Sequence, residues 1–207
     1  KEFGLMGMIA IFIAISQTFV NCGFSESLIR KKDCTQNDYS TIFYFNLGAG
    51  LVFYLLLFFL AKPISNFFNE PKLINIVRVI GLGLIISSFG TIQRTILIKK
   101  IDFKLQTKIS IISSILSGVL GIYMAYKGFG VWSLVWRTIT ACFITTILLW
   151  IWSSWYPIKL FNYNAFKEHF KFGYKLLFSG LINTLYINVY YLIIGKFFSA
   201  AHLGFYT

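Results

Sequence analysis

Six predominantly apolar runs, each long enough to cross a bilayer as a helix, limit what this chain can fold into. A transmembrane helix needs about 20 mostly apolar residues. Lipid offers no hydrogen-bond partner to an open strand edge, so runs of this length are predicted to be helices. The expected fold is all-α and integral to the membrane, with six transmembrane helices at residues 4–25, 39–61, 73–98, 109–126, 131–152 and 172–195.

The composition agrees with a membrane protein. Charged residues make up 13% of the chain and apolar residues 57%, whereas soluble domains carry about 25% charged residues. The net charge of +12 would suit nucleic acid in a soluble protein, but the basic residues lie between apolar runs. Membrane lipids with anionic headgroups are therefore the expected partner, and nucleic acid is not. The three cysteines lack metal-ligand spacing and are expected to be free thiols. Neither a metal nor another cofactor is predicted.

Lysine and arginine are distributed unevenly between the two ends of the predicted helices. The connections after the first, third and fifth runs, counted to residue 175, carry 11 of the 19 basic residues, and the opposite side carries 5. Cytoplasmic loops of membrane proteins are enriched in these residues. The connections with 11 basic residues are therefore predicted to be cytoplasmic. All seven acidic residues lie in loops or at their edges.

The longest connection, residues 153–175, is basic and aromatic. It is predicted to be a solvated linker that lies on the membrane surface. The alternative is a short helix capped by Asn164 that presents Phe166 and Phe170 on one side at the cytoplasmic surface. Either would mark a boundary between two halves. Because the chain opens at Lys1 and the motif "EFGLMG" at its start is echoed by "HLGFYT" at its end, we expect a piece of a longer, internally repeated membrane protein.

Three segments together resemble one family of membrane proteins. They are "EFGLMGMIAIFIAISQTFVNCGFSESLIRKKD", "IQRTILIKKIDFKLQTKISIISSILSGVLGIYMAYKGFGVWSLV" and "FGYKLLFSGLINTLYINVYYLIIGKFFSAAHLGFY". The chain resembles the Wzx-like polysaccharide flippases, the polysaccharide transport family of the multidrug/oligosaccharidyl-lipid/polysaccharide exporter superfamily. The similarity covers the whole chain and rests on a diffuse pattern of glycines, aromatics and basic loops.

The resemblance implies two six-helix lobes around a central cavity. Residues 1–152 would supply five helices of the first lobe, residues 153–171 the cytoplasmic linker between lobes, and residues 172–207 the first helix of the second lobe. It also implies a bacterial inner-membrane transporter, not an enzyme, that moves undecaprenyl-diphosphate-linked oligosaccharide outward by alternating access. Such a transporter would act as a monomer alongside other polysaccharide-assembly proteins.

Two arginines inside the predicted spans are candidates for substrate binding. Arg78 lies roughly 7.5 Å and Arg137 roughly 9 Å from the outer ends of their helices. Arginine binds phosphate bidentately and stays charged, so both are predicted to line the cavity and hold the lipid diphosphate or an acidic sugar. The alternative is that both reach the outer headgroups with their long side chains.

Helical periodicity assigns the remaining candidates. Gln93 lies about 60° from Arg78 around the helix and Arg94 about 160°, so Gln93 is predicted to face the cavity and Arg94 the cytoplasmic interface. On the last helix a polar stripe is predicted to contact sugar. The alternative is that its side chains form hydrogen bonds between helices. The stripe consists of Lys175, Ser179, Asn183, Tyr186 and, as a further candidate, Tyr190. Gln17 and Asn21 on the first helix are open to the same two interpretations. His169 and His202 are given no role.

Three other classes of function remain open at this stage. A drug or cation antiporter of the same superfamily usually carries an intramembrane carboxylate, and the predicted spans have none. A membrane polysaccharide polymerase or acyltransferase needs a catalytic base or a sizeable outer loop, and neither is evident. A passive structural subunit would leave the intramembrane arginines unexplained.

Overall fold

The computed structural model of the chain describes residues 2–21, 23–197 and 200–206. This part contains no β-strand. Six helical segments, the first formed by α1 with α2, are long and apolar enough to cross a bilayer, which confirms the predicted all-α membrane fold. The helices are α1 (Glu2–Asn21), α2 (Phe24–Arg30), α3 (Gln36–Phe68), α4 (Leu73–Lys99), α5 (Phe103–Tyr126), α6 (Val131–Trp152), α7 (Tyr163–Phe197) and α8 (Ala200–Tyr206).

The turn between α1 and α2 is built around Gly23. This residue has a φ of 65°, in the left-handed region that glycine adopts at no steric cost. A Cβ at this position would lie 2.7 Å from both the carbonyl oxygen of Gly173 and the Cβ of Leu176. Conformation and space therefore both favour glycine, and the turn rests directly on α7.

Helices α3 and α4 form an antiparallel pair. Thr35 and Asp38 cap the start of α3 reciprocally, each side chain accepting from the other residue's backbone N–H. Along the pair, Gly50 lies against Ser88 and Gly81 against Tyr54. Small residues of this kind let membrane helices approach closely.

Hydroxyl side chains join α6 to its two neighbours. Ser113 of α5 donates to the carbonyl of Ala141 at 2.9 Å, and Thr145 donates to the Ser113 hydroxyl at 2.8 Å. On the other side, Thr146 donates to the carbonyl of Ile86 in α4 at 3.1 Å. Helices α3, α4, α6 and α5 are thus neighbours in that order, and α1 contacts α3, α4, α6 and α7.

Helix α7 begins earlier than the predicted span at residue 172. It starts at Tyr163 and runs unbroken to Phe197, so residues 163–171 of the predicted linker form its first turns, which is nearer to the alternative of a helix in this segment. The residue whose side chain caps it is Asn162, not Asn164: its Oδ1 accepts from the backbone N–H groups of Asn164 and Ala165. The helix extends because Phe166 packs against Phe24 and Phe45 of the bundle.

Three apolar clusters fill the interior of the described helices. One lies toward the predicted outer end and includes Met8, Ile76 and Val135, and another lies toward the predicted cytoplasmic end and includes Phe24, Ile42 and Ile92. The third is small and consists of Leu97, Ile109 and Leu149. The outward surfaces are also apolar; Phe59 is 74% exposed, Ile122 73% and Ile182 69%. Such surface is costly in water but favourable in lipid.

Candidate functional site

A polar cleft of about 560 Å³ opens between α1, α2, α4 and α6. By the predicted orientation it occupies the cytoplasmic half of the bundle. Ten of its fifteen lining residues carry an amide, a hydroxyl or a charge, and among the rest only Ile98 and Leu149 are large and apolar. The polar lining consists of Gln17, Asn21, Ser25, Glu26, Ser87, Thr91, Arg94, Thr95, Thr145 and Thr146.

Hydrogen bonds between helices hold the walls of this cleft. The hydroxyl of Ser87 donates to Oε1 of Gln17 at 3.3 Å, and Nε2 of Gln17 donates to Oδ1 of Asn21 at 3.4 Å. The Thr95 hydroxyl donates to the Ser25 hydroxyl at 3.1 Å. The candidates Gln17 and Asn21, one turn apart on α1, therefore both line the cleft.

The sequence of α4 explains how so polar a wall can exist within a membrane helix. The hydroxyls of Ser87, Thr91 and Thr95 also lie within hydrogen-bond distance of carbonyls three or four residues earlier in their own helix, which offer each an alternative acceptor for its one proton. Each therefore has a partner when no ligand is present, which avoids the cost of a buried unpaired hydroxyl. Spaced four apart, they share one face of α4.

Arg94 supplies the positive charge of the cleft. Its side chain is exposed and lines the cleft wall, and no hydrogen bond or ion pair to it is found within the described part of the chain. It also borders a smaller cavity of about 150 Å³ with Gln106 and Ser110. A guanidinium without a carboxylate partner can bind a phosphate or another carboxylate bidentately.

The adjacent Gln93 occupies a different environment. It is fully buried, and neither its Oε1 nor its Nε2 has a hydrogen-bond partner among the described residues. Gln93 was predicted to face the cavity and Arg94 the cytoplasmic interface, whereas the structure places Arg94 at the cleft and Gln93 in the interior. A role of Gln93 in binding stays a prediction. The predicted angles around α4 took Arg78 as the residue that faces the cavity. Because Arg78 instead faces α3, the cleft lies on the side of Arg94.

Arg78 packs on α3. Its guanidinium carbon lies 4.2 Å from the centroid of the Phe58 ring, and its Nε is buried without a hydrogen-bond partner among the described residues. In this position the Arg78 side chain does not reach the polar cleft, and it does not extend freely toward the outer surface.

Arg137 lies elsewhere, on the α5–α6 surface. Its aliphatic stem covers Gly121, where an added Cβ would lie 3.1 Å from the Arg137 Cβ. With Gly118, Ile122 and Leu134 it borders a separate, mainly apolar cavity of about 330 Å³. The two arginines predicted to act together therefore share none of the cavities described above, and their role in binding stays a prediction.

The polar stripe of α7 is outside the cleft. Its members Lys175, Ser179, Asn183, Tyr186 and Tyr190 are all exposed, on a face that the described helices leave uncovered. Tyr186 is 73% exposed. Residues on other faces of α7, such as Ile182 and Ile187, are exposed too, so the predicted contact of the stripe with substrate stays a prediction.

Sequence reasoning missed a buried polar cluster beside the cleft, built around His169. This histidine is 1% exposed, and its ring lies within hydrogen-bond distance of Ser27 and Asp38. A lone histidine has no periodic signature, so nothing in its neighbourhood indicated burial. The one available signal was the capping motif of Thr35 and Asp38, which places a carboxylate at the start of α3. The described residues contain no group of three or more potential metal ligands.

Comparison with known proteins assigns the chain to a family. Residues 1–207 match the sequence model of a family described as "Polysaccharide biosynthesis protein". The chain belongs to this family. No solved structure matches the chain significantly.

Curated relatives of this polysaccharide biosynthesis family come from several bacteria. The chain is 30% identical over 197 residues to the teichuronic acid biosynthesis protein TuaB of Bacillus subtilis, covering 93% of the chain and 40% of that protein. It is 20% identical to the succinoglycan biosynthesis transport protein ExoT of Rhizobium meliloti, covering the whole chain and 42% of that protein. It is 23% identical to the lipopolysaccharide biosynthesis protein WzxC of Escherichia coli, again over the whole chain and 42% of the relative.

The chain thus spans about two fifths of the length of these family members. Six spanning helices together with family membership identify a multi-pass protein of the bacterial inner membrane. The resemblance to Wzx-like proteins found in the sequence is confirmed by the family match.

Proposed function

We propose that this protein is part of a flippase that moves lipid-linked oligosaccharide across the cytoplasmic membrane. The substrate would be an undecaprenyl-diphosphate-linked repeat unit destined for lipopolysaccharide, capsule or exopolysaccharide, carried by alternating access. The observation that carries this proposal is the polar cleft, whose amides, hydroxyls and unpaired arginine lie within a bundle of membrane-spanning helices. The names of the relatives, which concern teichuronic acid, succinoglycan and lipopolysaccharide, support the substrate class.

The chemistry of the cleft suits a glycan attached to phosphate. Sugar hydroxyls both donate and accept hydrogen bonds, and the amides of Gln17 and Asn21 offer both functions in return. Arg94 would bind a phosphate oxygen or a sugar carboxylate. Since the cleft lies toward the predicted cytoplasmic side, it would receive the substrate before translocation.

The other predicted site residues would contribute to a later part of the path. Arg78 and Arg137 lie in the predicted outer half of the bundle, and the exposed stripe of α7 from Lys175 to Tyr186 would face a passage shared with a second lobe. Gln93 would take part only if α4 rotated to expose it. The protein would act as a monomer alongside other polysaccharide-assembly proteins, in contact with membrane lipids.

Complementation of a polysaccharide-export mutant by the full-length gene tests the function. Restored surface polysaccharide is the expected result, and failure at normal protein level in the membrane contradicts the proposal. Arg94→Glu should abolish export while Arg94→Lys retains part of it, because only the reversed charge repels phosphate. Lys104→Glu is the matched control, since Lys104 is an exposed cation at the start of α5, outside the cleft lining.

A multidrug or cation antiporter would give a different result. It would leave the export mutant uncorrected and would instead change sensitivity to cationic drugs or salt. A polysaccharide polymerase would alter chain length rather than the appearance of repeat units at the outer surface. Labelled lipid-linked oligosaccharide in reconstituted vesicles separates these outcomes directly.

A further inference from the structure

The buried histidine of α7 connects three helices at their predicted cytoplasmic ends. Nδ1 of His169 lies 2.8 Å from the Ser27 hydroxyl of α2, and Nε2 lies 3.4 Å from Oδ1 of Asp38 in α3. A neutral ring with its proton on Nε2 satisfies both contacts, since it donates to the carboxylate and accepts from the hydroxyl. The ring is therefore held from two sides by helices other than its own.

Lys31 closes a second link between the same helices. Its ammonium donates to Asp38 at 3.2 Å and to Glu168 of α7 at 3.0 Å. Burial lowers the pKa of Lys31, but the hydrogen bonds to Glu168 and Asp38 outweigh this effect and raise the pKa above its ordinary value. The ammonium therefore stays charged near neutral pH. We call Ser27, Lys31, Asp38, Glu168 and His169 the His169 cluster.

Helix α2 separates this cluster from the polar cleft. Ser25 and Glu26 line the cleft, whereas Ser27 and Lys31 belong to the His169 cluster. Helix α2 has only seven residues and follows a glycine turn. It is held by its buried Phe24 and Leu28, by the Lys99 ammonium, which donates to the Leu28 carbonyl at 3.0 Å, and by the hydrogen bond between Ser25 and Thr95 on the cleft side. The His169 cluster adds polar side-chain contacts that join it to α3 and α7.

The start of α7 is itself fixed to α3 by the preceding segment. The backbone N–H groups of Ile158 and Asn162 donate to the hydroxyls of Ser40 and Thr41, each at 3.0 Å. The indole N–H of Trp155 donates to Oε1 of Gln36 at 2.7 Å. The cluster therefore ties the short α2 to an end of α7 that is itself anchored on α3.

We propose that the His169 cluster holds α2 against α7 and thereby limits how far the polar cleft opens toward the cytoplasm. Breaking the cluster loosens the C-terminal end of α2, which stays packed through Phe24 and Leu28, and lets it turn about Gly23 so that the cleft entrance at Ser25 and Glu26 widens. A covalent bond across the cluster keeps that entrance narrow. This regulation concerns the site assigned above and so rests on the proposed function, but access to the cleft can be measured without any export.

The test measures access with a cysteine reporter in the cleft wall. Thr91→Cys is introduced into the full-length protein with Cys22, Cys34 and Cys142 replaced by serine. Its labelling by a membrane-impermeant maleimide is followed by mass spectrometry in inverted membrane vesicles. Ser27→Ala and His169→Leu should each raise the labelling rate at least threefold. Asn188→Ala is the matched control on α7, because its amide bonds only to the Thr184 carbonyl of the same helix among the contacts found.

A disulfide bond across the His169 cluster tests the opposite effect, a narrower cleft entrance, in a protein whose fold is intact. In a variant carrying Ser27→Cys and His169→Cys, oxidation should slow labelling of the reporter and reduction should restore it. The control pair Thr18→Cys and Thr184→Cys also joins the first span to α7, at hydroxyls 3.0 Å apart, but does not involve α2. That disulfide should leave the labelling rate unchanged.

Equal labelling rates in the oxidised and reduced cluster variant would overturn the proposal, as would equal effects of the two disulfides. A Lys104→Cys reporter, outside the cleft, should respond to none of these changes. Failure of complementation with normal labelling behaviour would count against the proposed function alone. Normal complementation with unresponsive labelling would count against the role of the His169 cluster alone.

Discussion

Gly50 of α3 lies so close to Ser88 of α4 that a Cβ at position 50 would stand 3.0 Å from the Ser88 hydroxyl oxygen and 3.3 Å from the Leu84 carbonyl oxygen. A Cβ added to the nearby Gly48 would have no such neighbouring heavy atom within 4 Å. The two glycines differ by about half a turn of helix, so one faces the partner helix and the other faces outward.

Gly50→Val is expected to destabilise the protein by about 1–3 kcal/mol, because the added methyl groups force α3 and α4 apart. Gly48→Val should change stability by less than about 0.5 kcal/mol. Thermal unfolding of the purified proteins in one detergent measures both. Equal melting temperatures for the two variants would contradict the close approach.

Gln93→Met is expected to raise stability by about 1 kcal/mol, since it replaces a buried amide without partners by an apolar side chain of similar length. Asn46, also fully buried and without a partner among the described residues, should respond in the same direction when changed to Leu. Export should persist in both. Loss of export by Gln93→Met at unchanged stability would instead favour the substrate-binding role that the sequence analysis assigned to it.

Phe58→Leu should weaken the packing of Arg78 by about 0.5–2 kcal/mol through loss of the cation–π contact. A double-mutant cycle with Arg78→Gln isolates that coupling from the general cost of removing a ring. Phe59→Leu is the matched control, because Phe59 is the next residue and is 74% exposed. Coupling between Arg78 and Phe59 as large as that with Phe58 would show that Arg78 does not pack as described.

Asn162→Ala should cost about 1 kcal/mol, because Oδ1 of Asn162 accepts from two of the first backbone N–H groups of α7. Asn164→Ala removes an exposed side chain and should cost much less. Hydrogen exchange at Asn164 and Ala165 gives a local readout, with faster exchange expected only in the Asn162 variant. Faster exchange only in the Asn164 variant would show instead that Asn164 is the cap, as in the alternative that the sequence left open.

The amino-acid sequence by itself determined the number and approximate position of the spanning helices, their predicted orientation and the family. These properties depend on the length of apolar runs, on loop charges and on residue patterns, all of which are local along the chain. The shared face of Lys175, Ser179, Asn183 and Tyr186 was also predictable, because it follows from the period of a single helix.

Tertiary structure alone decided which polar side chains meet. Gln93 and Arg94 are neighbours in sequence, but the packing of α4 between α3 and α6 buries Gln93 in the interior and places Arg94 in the cleft. His169 became part of a buried cluster because Phe166 holds the first turns of α7 against the bundle. Helical period fixes the angle between residues on one helix, but the rotation of that helix is set by the packing energy of its neighbours, which the pattern of one segment does not contain.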